Sequence, residues 1–157
     1  MEHRESLYGA AVYGSVLAAA LLGALRHTHT DARAATISLV GSMLVFWLAH
    51  AWSEVIGERV AAGRLFERER ILEIARAEWP LVEAALVPAV PLVLAWAGLW
   101  SRNLGVDLAL GAAVLQLVGW GAAAGHRSET SWPVALLIGA VDGALGIGIV
   151  ALELAIH

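Results

Sequence analysis

Apolar runs long enough to cross a bilayer recur along this 157-residue chain, and no other feature constrains its fold as strongly. A spanning helix needs about 20 mostly apolar residues, and such runs occupy residues 7–25, 35–55, 80–100, 106–125 and 132–155. Hydrophobic residues make up 59% of the chain and charged residues 15%, against roughly 45–50% and about 25% in soluble domains. Little is left over for a soluble domain. The expected architecture is an all-α integral membrane protein, a single membrane domain over 1–157. It comprises a bundle of about five transmembrane helices plus one cytoplasmic amphipathic helix at about 64–78. The first run is too long for the apolar core of a signal peptide and is expected to remain as the first spanning helix.

Several function classes fall away on composition. The net charge of −4 is small and dispersed, which argues against a nucleic-acid partner. The absence of cysteine excludes disulfides, thiolate metal sites and cysteine nucleophiles. Neither a Gly-x-Ser-x-Gly elbow nor a phosphate-cradling glycine loop is present, so no enzymatic activity is expected. All ten basic residues are arginine, a bias attributed to a GC-rich bacterial genome.

Between the second and third apolar runs lies the one strongly charged segment. Arg64, Glu67, Arg68, Glu69, Arg70, Glu73, Arg76 and Glu78 alternate there with Leu65, Leu72, Ala75 and Trp79, which share one side of a helical wheel. This pattern suits a helix lying along the membrane surface, with Glu67–Arg70 and Glu73–Arg76 as i,i+3 ion pairs. Pro80 fits the first turn of the next helix, while Pro88 and Pro91 predict a kink inside it, or a re-entrant segment. Arginine marks the cytoplasmic side. Arg4, Arg59, Arg64, Arg68, Arg70, Arg76 and Arg127 fall on one side and Arg26, Arg33 and Arg102 on the other. A multi-pass plasma-membrane protein with its N-terminus inside and its C-terminus outside is expected.

Ionisable residues inside the apolar runs are the candidate site. His50 and Glu54 stand at i and i+4 on one helix face, along with Met43, Trp47 and Gly57. Asp142 lies within the last run, Glu83 one turn into the third, and Gln116 near the middle of the fourth. Buried ionisable groups are costly in lipid and normally face protein or water. At similar depth on several helices, they predict an acidic, histidine-bearing cavity open to the cytoplasm. The plainer alternative is that His50 and Glu54 bond only to each other. Helices two and five are then expected to touch, with His50 and Asp142 on the shared side.

Other constellations carry less. His50, Glu54 and His126 offer imidazole and carboxylate ligands for a divalent metal, but no Glu-x-x-His pair or His-Glu-x-x-His motif supports them. No cofactor is expected otherwise. His27, His29 and Asp31 form a polar loop read as solvated. Gly14, together with Gly139, Gly143 and Gly146, has the small-residue spacing of close helix packing. Among the tryptophans, Trp52, Trp79, Trp100 and Trp132 suit the interface, and Trp47, Trp96 and Trp120 lie deeper. The functional expectation is a homo-oligomeric channel or transporter of protons or small cations. His50 would titrate, Glu54 would tune it, and Asp142, Glu83 and Gln116 would face the ion path. A non-transporting scaffold or accessory subunit is the alternative, and an intramembrane metal-binding protein comes third.

Overall fold

A computed structural model of the chain describes residues 2–62, 68–127 and 132–156. These residues form seven helices and no strand: α1 Glu2–Arg26, α2 Ala32–Ala62, α3 Arg68–Ala77, α4 Pro80–Glu83, α5 Leu86–Trp96, α6 Arg102–Arg127 and α7 Trp132–Ile156. Three stretches are long and apolar enough to cross a membrane: Gly9–Arg26, Ala32–Val60 and Arg102–His126. A fourth arises if the pair Arg68–Glu83 and Leu86–Trp96, bent by 51°, is counted as one span. Within α7, Trp132–Gly148 is a shorter apolar stretch.

Local chemistry sets the helix ends, and several lie beyond the apolar runs. The Asp31 carboxylate accepts the Ala34 N–H at 2.6 Å, an N-cap that starts α2 three residues before its apolar run. That helix then continues to Ala62, past the expected end near residue 55, because the polar residues Glu58 and Arg59 do not break it. The charged segment forms a helix from Arg68; residues 63–67, including Arg64, Leu65 and Glu67, lie outside the described residues. Arg70 reaches Glu58 at 2.6 Å and Glu73 at 2.8 Å, so Glu73 pairs backward to Arg70 rather than forward to Arg76. At the opposite end of the bundle, Arg102 donates to the terminal carbonyls of α1 at Leu25 and Arg26 and to Thr28 Oγ1. Arg26 meets Asp107 at 3.0 Å. A basic group on a helix C-terminus satisfies carbonyls that the helix itself leaves unpaired.

The third apolar run departs most from a simple span. Its helix is broken at Ala84–Ala85 and ends at Trp96 instead of Trp100. Gly98 takes φ +82° in the turn that follows, a conformation glycine adopts without steric cost. Trp100 Nε1 donates back to the Pro91 carbonyl at 3.0 Å.

α1 is the hub of the packing and touches α2, α3, α4, α6 and α7; the most extensive contact is between α6 and α7. The core is rich in small residues, with Ala18, Ala19, Ala84, Ala85, Ala109 and Ala113 around Leu22, Leu39, Met43, Leu81 and Leu92. Large apolar side chains such as Leu48, Leu115 and Leu137 point outward. Small residues inside and bulky ones outside suit helices that approach closely in an apolar surround. Gly14 shows why: a Cβ there would lie 2.8 Å from the Leu81 carbonyl oxygen and 2.9 Å from the Ala84 Cβ. Gly41 on α2 meets nothing within 4 Å. Gly14→Ala is therefore expected to destabilise the bundle by about 1–3 kcal/mol through overpacking. Gly41→Ala should leave it unchanged or slightly more stable, because alanine favours the helix by about 1 kcal/mol. Thermal unfolding in detergent, comparing the two variants, checks the contrast.

Candidate functional site

Polar groups inside the bundle gather at three separate places, and the first is the corner where α3 ends against α2. The buried side of α2 is lined by Leu39, Met43, Ala51 and Val55, with Trp47 and His50 half-buried beside them. His50 Nε2 lies 3.4 Å from Glu78 Oε2. The Glu78 side chain is only 12% exposed, and its Oε2 has no hydrogen-bond partner among the described residues, so the contact is a close approach rather than a formed hydrogen bond. The Tyr13 ring of α1 sits 5.7 Å from the His50 ring. One helical turn earlier on α2, Trp47 Nε1 donates to the Ala75 carbonyl at 2.8 Å. Its ring meets Trp79 edge to face at 5.3 Å and 87°. This anchoring holds the Glu78–Trp79 turn against α2.

Glu54, the expected partner of His50, is exposed, although its charge reaches Glu78. The i,i+4 spacing is present, but at that level α2 is covered at Ala51 and Val55, and Glu54 falls on the open side. Glu78 was the residue that sequence reasoning missed, since it was read as part of a solvated charged face. Its position directly before Trp79 and Pro80, at the end of the amphipathic segment, was the available signal.

The second place is the helix break. Pro88 has no N–H to offer the carbonyl of Ala84 four residues earlier. Gln116 of α6 supplies the missing donor: its Nε2 lies 3.3 Å from Ala84 O and 3.3 Å from Ser15 Oγ. The amide orientation follows from the chemistry, because a backbone carbonyl only accepts. Ser15 is fully buried and donates its own hydroxyl proton to Ala11 O at 2.8 Å. Gln116, expected on an ion path, thus fastens α6 and α1 to the broken helix.

The third place is the α6–α7 seam. A Cβ on Gly139 would come within 2.7 Å of the Val118 carbonyl oxygen, one on Gly143 within 2.5 Å of Val118 Cγ2, and one on Gly146 within 3.0 Å of Leu117. The Asp142 carboxylate lies directly over Gly121, where no side chain fits. This close approach commits α7 to α6 and α1, while α2 packs on α5, α3, α4 and α1. The expected meeting of His50 with Asp142 across helices two and five therefore does not form. Glu83 is exposed on α4. His50, Glu54, Glu83, Gln116 and Asp142 do not converge on one cavity.

The metal set is also corrected. Among the described residues no three histidine or acidic side chains come together as ligands. His126 stacks on Trp132 at 4.4 Å, at the corner between α6 and α7, and no extensive contact joins those helices to the α2 that carries His50 and Glu54. In the polar loop, Asp31 is engaged as the α2 cap. The outer face of α2 carries a shallow groove of about 420 Å³ lined by Ile37, Ser38, Gly41, Ser42, Val45 and Phe46, with no titratable group. The chain matches no known family model, no curated protein and no solved structure.

The role assigned to Gln116 predicts coupling with Pro88. Gln116→Leu should cost about 1–3 kcal/mol, the penalty of a buried carbonyl left unpaired. The loss should shrink in a Pro88→Ala background, where residue 88 supplies its own N–H. A double-mutant cycle on unfolding free energy measures this; equal losses in both backgrounds would contradict the assignment.

Proposed function

We propose that the chain is a plasma-membrane bundle of about five spans, with α3 along the cytoplasmic surface, that moves protons or small cations by exchange at His50 and Glu78. The observation that carries this reading is the 3.4 Å approach of His50 Nε2 to a Glu78 oxygen that is buried and has no other partner. Imidazole exchanges protons near neutral pH, and a carboxylate sheltered beside it is a natural donor or acceptor. His50 remains 40% exposed, so protons reach it from outside the bundle. Glu54 supplies negative charge nearby, and Tyr13 packs along the imidazole. The exterior, with large apolar side chains such as Leu48, Leu115 and Leu137, is the surface through which copies of the chain would assemble as a homo-oligomer.

A second reading, a non-transporting accessory subunit, draws support from Gln116 and Ser15. Both are occupied in joining helices. The two readings differ in a flux assay. Reconstituted protein is expected to dissipate a pH gradient across liposomes, with the rate falling at least tenfold in His50→Ala and in Glu78→Gln, and less in Asp142→Asn. Decay no faster than in empty liposomes would leave the accessory-subunit reading instead.

A further inference from the structure

The corner around His50 holds more than a proton-exchanging pair, since aromatic rings outnumber the charges. Tyr13 and Trp79 are each close to half exposed, at 48% and 42%. Trp47 and Trp79 stand perpendicular at 5.3 Å, so the edge of one ring covers a single face of the other. Adjacent to Trp79 in the chain is Glu78, whose Oε2 has no hydrogen-bond partner among the described residues and which feels the charge of Glu54. Among the described residues no arginine is paired with either carboxylate; the bridges of this region join Arg70 to Glu58 and Glu73. Aromatic faces attract cations through the ring quadrupole, most strongly for tryptophan, and such groupings recognise quaternary ammonium ions. A metal ion would find too few ligands here, because no three acidic or histidine groups converge among the described residues. A bulky, weakly hydrated cation needs only ring faces and one countercharge.

We infer that Tyr13, Trp47, His50, Glu54, Glu78 and Trp79 form a binding site for a lipophilic organic cation of the quaternary ammonium or phosphonium class. This rests on the proposed exchange at His50–Glu78 and names its cargo. The cation sits against the tryptophan and tyrosine faces and takes Glu78 as its counterion. On binding, a proton held by the His50–Glu78 pair leaves to solvent, so proton and cation compete for one place. The groups that face Glu78 in this competition are His50 and Glu54 from α2, with Tyr13 from α1 against the imidazole.

Tetraphenylphosphonium is the probe, with neutral triphenylphosphine oxide as the control for simple partitioning into detergent. Isothermal titration of the purified full chain should show saturable binding of the phosphonium and none of the oxide. Proton release should be visible as a dependence of the heat on buffer ionisation, and affinity should weaken as pH falls. Glu78→Gln should lose at least tenfold in affinity and Trp79→Leu several-fold. Glu69→Gln, at an exposed carboxylate on α3, should bind as the wild type does. Circular dichroism of each variant establishes that it is folded. Equal binding by the wild type and a folded Glu78→Gln, or equal binding of the neutral oxide, overturns the inference. Proton flux in liposomes without phosphonium binding also overturns it and leaves proton exchange standing. Glu78-dependent binding without proton flux overturns the exchange and leaves the site.

Discussion

A backbone carbonyl that loses its partner inside an apolar bundle has to find another, and the architecture turns on one such group. Pro88 leaves Ala84 O without an N–H, and the side chain of Gln116 takes its place. The break this permits bends the α3–α4 arm by 51° from α5. α1 closes on the same point, because Gly14 lets it lie against Leu81 and Ala84. The bent arm is what carries Glu78 and Trp79 across to His50 and Trp47. A straight third helix would send that end of the segment elsewhere, and the titratable corner would not exist.

This arrangement divides the polar groups by task. Ser15, Gln116 and Arg102 donate to backbone carbonyls, and Gln116 also to Ser15, and they join helices that have few large side chains to interlock. Asp142 belongs to a seam shaped by Gly121, Gly139 and Gly143. The His50–Glu78 pair differs, since two titratable groups meet there and the imidazole stays partly accessible. Among the described residues Gln116 and Arg102 each have one buried unbonded atom as well, but they are held by hydrogen bonds at their other atoms. α1 separates the two kinds of site. Tyr13 is exposed toward His50 and Ser15 is buried toward Gln116, two residues on and close to the opposite side of the helix. The proposed exchange function rests on that distinction between groups used up in packing and groups left available.

Much of the helical layout was legible in the sequence, because apolar run length and small-residue spacing report directly on helices in an apolar surround. Gly14, Gly139, Gly143 and Gly146 lie where a Cβ would meet a neighbouring helix, and the helix of the third apolar run is broken at Ala84–Ala85, just before Pro88. The site was less legible, for identifiable reasons. His50 and Glu54 share a helix face, yet a face is useful only where another helix covers it, and α2 is covered there at Ala51 and Val55 rather than at Glu54. Glu78 is far from His50 in sequence and sits in a segment whose charges looked self-sufficient. Gln116 resembled an isolated polar residue because its partner is a backbone group, which composition never reveals. The separation of Asp142 from His50 followed from which helices the glycines bring together, a choice that small-residue spacing alone leaves open.

The claim on which the rest stands is that His50 belongs to the α3 corner and not to the helix bearing Asp142. The chain has no native cysteine, so introduced pairs can be crosslinked without background. In isolated membranes, a short bifunctional thiol reagent should link His50→Cys with Glu78→Cys within one chain, read as a compact monomer band. His50→Cys with Asp142→Cys should remain unlinked. Efficient crosslinking of the second pair, with none of the first, would contradict the account.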